Sequence, residues 1–283
     1  MNAKALRGAC LTVIALLIAG PALAGCGLSL STTSSSAAPA GSGVPGSAPA
    51  VASVPTGVVD LQQGGQSVKP PSGFTCPNQS LRGCFTESDM VTYFEYVLPY
   101  VDEFFKQTWP SLPLPSNVYF ISDGATTNEA CEDSNGNTSA DDQSYEYCPA
   151  DHNVYIGQQL AWALYSQAGD VAPATGIAHE FGHGVQTQIG VPSPQSDAET
   201  LVHENQADCV SGAWLGFANN QHLLQQSDEP VLQKYLELIS SSENDPNRTH
   251  GDFTERGDAV EAGGEKGIAS CDSFYPATPI VGS

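Results

Sequence analysis

Five consecutive residues, His179-Glu180-Phe181-Gly182-His183, form an HExxH pattern whose spacing has a definite chemical use. Histidines at i and i+4 of a helix lie on one face, one turn apart. Both imidazoles can then reach a single zinc ion at about 2.0–2.1 Å. Glu180 leaves the helix at a neighbouring angle, so it can reach a water at the ion without ligating the ion itself. Zinc lowers the pKa of such a water to about 7. The glutamate takes its proton and can later pass it to a leaving amine. The surrounding residues support a helix with a buried face, supplied by Ile177, Ala178, Phe181, Val185 and Ile189.

Two histidines leave a catalytic zinc site one protein ligand short. The segment His203-Glu204-Asn205-Gln206-Ala207-Asp208 can supply it, and two residues compete. Glu204 and His203 lie about 100° apart around a helix, so both cannot face the ion equally well. Glu204 shares a face with Asp208, four residues on. From there Asp208 can accept a hydrogen bond from a ligand histidine and fix its tautomer. Hydrolysis also calls for a donor to the developing oxyanion. His250, in Thr249-His250-Gly251, is the first candidate and Arg256 the second; the plain alternative for His250 is a surface loop histidine.

The elements that must position these residues can be read from caps and periodicity. Asp170 and Pro173 open a helix that runs to Ile189 and stops at Gly190 and Pro192. Pro192 and Pro194 turn the chain so that a second helix, from about Ser196 to Ala218, returns beside the first. Asp228-Glu229-Pro230 starts a third, ending near Ser240. Upstream, Thr86 caps a helix carrying Met90, Phe94, Val97, Val101, Phe104 and Phe105 on one side, with Pro99 a potential kink. Asn117 to Ser122 predicts a strand, and Tyr145 to Ile156 a hairpin or bulged strand. An exposed edge there could take an extended peptide by strand addition, with Tyr155 either lining that cleft or packed in the core. Residues 123–144 predict a long exposed loop, and the Gly-rich tail from Asn244 an irregular segment. His152 and His222 are expected to face solvent; Trp162, Trp214 and Phe217 are expected in the core. The sum is an α+β domain, mostly helical, with a small sheet.

The N-terminus reads as an export signal. Lys4 and Arg7 precede an apolar stretch, Leu11 to Ala19, too short to span a bilayer. Leu23-Ala24-Gly25-Cys26 follows and resembles the bacterial lipobox, in which signal cleavage leaves a lipid-modified cysteine. The expected organisation is a signal peptide over 1–25, a lipidated N-terminus and flexible Ser/Ala/Pro/Gly linker over 26–73, and the catalytic domain over 74–283. The protein is thus expected to be exported and held to the cell membrane by a lipid on Cys26, with its domain outside the cytoplasm. Six further cysteines in an oxidising compartment predict three disulfides. Pairing neighbours along the chain gives Cys76–Cys84, Cys131–Cys148 and Cys209–Cys271. No CxxC pair occurs, so a cysteine-ligated zinc or a redox motif is unsupported. The net charge of −22, from 9 basic and 31 acidic residues, argues against a nucleic-acid partner, which needs clustered Lys and Arg.

The segments AHEFGHGVQTQIG and ENQADCVSG together resemble the neutral zinc metallopeptidase family of bacteria, a branch of the zincins with glutamate as third ligand. The likeness extends to YCPADHNVYIG upstream and to THGDFTER and CDSF downstream, covering about residues 74–275. It implies a zincin-like domain, zinc as cofactor and a protein or peptide as substrate. It implies His179, His183 and Glu204 as ligands, Glu180 as base and Asp208 in support. Gly184 stands where relatives often have a second histidine, and Glu255 where they often have glutamine. Neither is one of the three ligands, so these departures bear on specificity rather than on zinc. The expected activity is endopeptidase-type hydrolysis outside the cytoplasmic membrane. The alternative is a non-catalytic zinc-binding or interaction lipoprotein, against which Glu180 argues, because a metal store needs no base.

Overall fold

The computed structural model describes residues 55–67, 76, 81–132, 136–225, 228–245 and 248–281. The basic, apolar and lipobox residues of the N-terminus lie outside that range. Two helices cross at the centre. α3 (Val171–Ile189) carries HExxH, and α4 (Asp197–Asn220) carries the second acidic segment. Both ends of the turn between them follow local chemistry. Gly190 takes a left-handed conformation at φ 87°, which L side chains rarely adopt, and its N–H closes on Gln186 and Thr187. Ser196 then caps α4, its hydroxyl accepting from the Glu199 N–H.

α3 is buried almost all round because other elements cover its several faces. α1 (Met90–Thr108) packs a stripe of Met90, Phe94, Val97, Leu98, Val101 and Phe105 into the core. It runs unbroken through Pro99, which does not divide it. α2 (Gln158–Ala168) and α5 (Glu229–Ile239) close the remaining sides. Trp214 is buried, whereas Trp162 and Phe217 are partly exposed at the core margin.

The main sheet is mixed, in the order β1 (Val58–Asp60), β4 (Asn117–Ile121), β8 (Asn153–Gly157), β7 (Tyr145–Cys148). β4 and β8 are parallel; β1 and β7 run antiparallel to their neighbours. β7 is the edge that crosses α3. The row Gly176, Glu180, Gly184, at i, i+4 and i+8, faces it. Tyr145 closes on Gly176 and bonds the Pro173 carbonyl at 2.5 Å, while Tyr147 lies over Gly184.

Several expectations need correction. Residues 58–60 fall in the stretch read as tether, yet they pair with β4, and the small hairpin β2 (Gln62–Gln63) and β3 (Gln66–Ser67) follows. These strands are too short to show a period. Residues 123–144 are not a plain loop: β5 (Thr126–Asn128) pairs with β6 (Ser139–Asp141), with Ala140 buried. The tail is not irregular either. It forms α6 (Phe253–Lys266) and a 3-10 segment, Ile268–Ser273. The glycines that suggested coil are packing residues. A Cβ at Gly263 would lie 1.9 Å from the Cys209 carbonyl oxygen, and one at Gly212 would lie 2.1 Å from that of Val260. α4 and α6 thus touch backbone to backbone. All three neighbour-paired disulfides form: Cys76–Cys84, Cys131–Cys148 and Cys209–Cys271.

Candidate metal centre

His179 and His183 leave α3 on the face that meets α4. Their Nε2 atoms lie 3.1 Å apart. Glu204 on α4 brings Oε2 to 3.1 Å from His179 Nε2 and Oε1 to 3.3 Å from His183 Nε2. The other nitrogen of each ring faces an acceptor. His179 Nδ1 is 2.9 Å from Asp208 Oδ1, and His183 Nδ1 is 2.8 Å from Gln186 Oε1. With its hydrogen on Nδ1, donated to that acceptor, a neutral ring presents a lone pair at Nε2 toward Glu204.

Two imidazole nitrogens and a carboxylate thus converge within 4.8 Å of one another, a donor set that suits a cation. Neighbouring ligands of a tetrahedral zinc, each at about 2.0–2.1 Å from the ion, are about 3.3–3.4 Å apart. The observed spacings, 3.1, 3.1 and 3.3 Å, are close to these and slightly shorter. The electrostatics agree in sign. Burial alone would lower the pKa of His179, but Asp208 and Glu204 outweigh it and lift it to about 10. Burial likewise opposes charge on His183, and Glu204 raises it. Burial would raise Glu204, yet the two histidines hold it well below the usual carboxylate value. The centre favours positive charge, and His179, His183 and Glu204 fit a zinc ion.

Glu180 is also buried, and burial raises its pKa. Its Oε2 accepts a 2.9 Å bond from the Tyr147 backbone N–H on the edge strand. The carboxylate is therefore anchored through one oxygen beside the ligand cluster.

His203 does not join the cluster. Its ring stacks on His183, centroids 5.1 Å apart and planes 10° from parallel, and burial with the nearby His183 lowers its pKa to about 4. His250, on the loop before α6, brings Nε2 to 3.3 Å from Glu204 Oε2 while its side chain stays 46% exposed. Arg256 already commits two of its nitrogens. It is buried, holds Asp208 Oδ1 at 2.8 Å and donates to the Ile239 carbonyl. Tyr155 packs in the core, with its hydroxyl on Asp151 at 2.7 Å. His222 is exposed. His152, expected in solvent, is half-buried, with Nδ1 at 2.7 Å from the Tyr147 hydroxyl. Its left-handed backbone, φ 58°, turns the ring inward at the hairpin tip.

Gln186 escaped the sequence reading. The available signal was its position three residues after His183 on the same helix, hence on the same face. Glu255 bonds Arg248 and completes the capping box of α6 with Asp252, a task glutamine performs equally well. Beside Gly184, a shallow open depression is lined by Phe105, Trp109, Leu114, Pro115 and Phe181 among others.

Residues 115–234 match a family model described as "Putative neutral zinc metallopeptidase". That range holds both histidines, Glu180 and Glu204, but not His250. Among curated proteins, the chain is 33% identical over 107 residues to the uncharacterized protein Rv2575 of Mycobacterium tuberculosis, covering 34% of this chain and 35% of that protein. It is 29% identical over 152 residues to the uncharacterized protein YpfJ of Escherichia coli K12, covering 45% of this chain and 53% of that protein. The chain thus spans between about a third and a half of the length of these relatives. No solved structure matches it. At the level of the family, the match supports a zinc peptidase.

Proposed function

We propose that this protein is a zinc-dependent endopeptidase that hydrolyses peptide bonds outside the cytoplasmic membrane, tethered there by a lipid on Cys26. The observation that carries the catalytic reading is the convergence of His179 Nε2, His183 Nε2 and the Glu204 carboxylate, with Glu180 anchored beside them. Zinc held by these three ligands supplies a Lewis acid that brings the pKa of a water to about 7. Glu180 receives the proton. Burial raises its pKa, the direction a base needs, and the Tyr147 N–H steadies one oxygen while the other takes part. His250, whose Nε2 lies 3.3 Å from Glu204 Oε2, is our candidate donor to the developing oxyanion. An extended substrate would pair along β7, the last strand of the main sheet among the described residues. Export and the lipid on Cys26 rest on the residue order from Lys4 to Cys26.

The test is cleavage of a complex peptide library, read by mass spectrometry, by wild type and Glu180→Gln with zinc content measured in both. Cleavage lost in the variant with zinc retained supports the reading. Zinc bound by both and cleavage by neither would favour the non-catalytic zinc lipoprotein. Separately, membrane association of the full chain that survives Cys26→Ala would overturn the lipid anchor.

A further inference from the structure

The two ligand histidines are oriented by different means. His179 is held by charge: its Nδ1 meets Asp208, which is paired with the buried Arg256. His183 is held by a chain of neutral amides. Gln186 and Gln206 are both fully buried, so water cannot replace a missing partner. Gln206 Nε2 points at two backbone carbonyls of the C-terminal segment, Cys271 O at 3.5 Å and Thr278 O at 3.4 Å. Carbonyls only accept, so the amide presents its nitrogen to them and its oxygen to Gln186. Gln186 Nε2 spends its two hydrogens on Gln206 Oε1 and the His203 carbonyl, each at 2.9 Å. What remains of Gln186 is Oε1, which faces His183 Nδ1 at 2.8 Å and can only accept from it.

We propose that Gln186 is the positioning residue of His183. Its amide is locked by the His203 carbonyl and by Gln206, and through Gln206 by the C-terminal segment Cys271–Thr278. The chain of donors obliges His183 to carry its hydrogen on Nδ1 and leaves the Nε2 lone pair open toward Glu204 and His179. The disulfide from Cys209 on α4 to Cys271 fixes the far end of the chain to the same helix that bears Gln206. Residues some 70 positions beyond Glu204 thereby help set the ligand state of a histidine on another helix. This inference rests on the proposed metal site, but the tautomer it predicts is measurable without metal.

The experiment uses the full chain, wild type beside Gln186→Met, Gln206→Met and Val231→Ala. The last is buried, lies outside the chain of amides and controls for lost stability. Nitrogen-15 NMR of the metal-free proteins, at a pH where His183 is neutral, reads which ring nitrogen bears hydrogen. Chelator competition reads zinc affinity. Wild type is expected to show hydrogen on Nδ1. Gln186→Met should lose that preference and bind zinc about 10–100-fold more weakly. Gln206→Met should move both readouts the same way by less, and Val231→Ala should move neither. Hydrogen on Nε2 in wild-type His183 would overturn the proposal, and this spectrum decides even if a variant fails to fold. So would wild-type tautomer and affinity in Gln186→Met. Unchanged readouts in Gln206→Met would remove the C-terminal segment from the chain. If wild type binds no zinc yet its tautomer responds to Gln186→Met, the metal reading fails and the amide relay stands.

Discussion

Replacing two glycines of α6 by alanine should have opposite effects. Both are helix-interior positions, where alanine gains up to about 1 kcal/mol over glycine in intrinsic propensity. At Gly257 nothing lies closer to a new Cβ than Leu236 Cδ1 at 3.8 Å, an ordinary contact, so the gain should be kept. At Gly263 the new Cβ would sit 1.9 Å from the Cys209 carbonyl oxygen and 2.7 Å from the Ala213 nitrogen. Carbon and oxygen need about 3.3 Å, so α4 and α6 would have to part by more than about 1 Å. Backbone cannot swing aside as a flexible side chain can. The cost belongs at or above the top of the usual overpacking range of about 1–3 kcal/mol, leaving a net loss of about 2 kcal/mol or more. For a domain of this size that is a fall in Tm of about 4–8 °C, against a rise of about 2–4 °C for Gly257→Ala. The same separation would draw Arg256 away from Asp208, so Gly263→Ala should also bind zinc more weakly. Thermal melts followed by circular dichroism, with and without a chelator, measure both effects. A Gly263→Ala protein melting at or above Gly257→Ala would refute the backbone-contact reading of this helix pair.

Three further outcomes follow from particular groups. Asp102 is buried, accepts from Gln62 Nε2 at 2.7 Å and from the Ser67 hydroxyl, and burial raises its pKa to about 6. A carboxyl raised in the folded state costs stability as pH climbs from about 4 through about 6, so Asp102→Asn should stabilise at pH 8 by up to about 3 kcal/mol and do nothing near pH 3; parallel melts at the two pH values check it, and equal shifts at both would contradict it. Asp208→Asn should weaken zinc binding about 10–100-fold and, by leaving Arg256 buried without its partner, cost about 3–5 kcal/mol. Adding Arg256→Met should recover stability in denaturant titrations but not zinc affinity, and joint recovery would assign Asp208 to packing alone. Zinc at a hundredfold excess over its Kd should add about 2.7 kcal/mol to the stability of wild type and much less to His183→Ala; an equal zinc effect on the two melts would place the ion elsewhere.

Much of the central architecture was legible because it is local. The i, i+4 spacing of His179 and His183 is a property of one helix, as is the left-handed stop at Gly190 and the cap at Ser196. Even the disulfides followed chain proximity for Cys76–Cys84 and Cys131–Cys148. What lay beyond reach depends on how distant segments cross. Whether His203 or Glu204 faces the histidines is a matter of rotation about α4, and the packing of α4 on α3 turns Glu204 inward while laying the ring of His203 flat on His183. The Gly-rich tail looked like coil because glycine weakens a helix taken alone. Only the backbone contact with α4 repays that loss, and the sequence carries no sign of which partner a glycine face will meet. Gln186 and Gln206 look like any other polar helix residues until burial removes water and each amide must find partners inside the protein. Residue type and spacing determined by themselves that two histidines share one face of one helix, the pattern a metal site uses. The tertiary structure decided what stands beside it, because Glu204, the Tyr147 N–H on Glu180 and the Gln206 amide that holds Gln186 all come from contacts between elements that one-dimensional spacing does not encode.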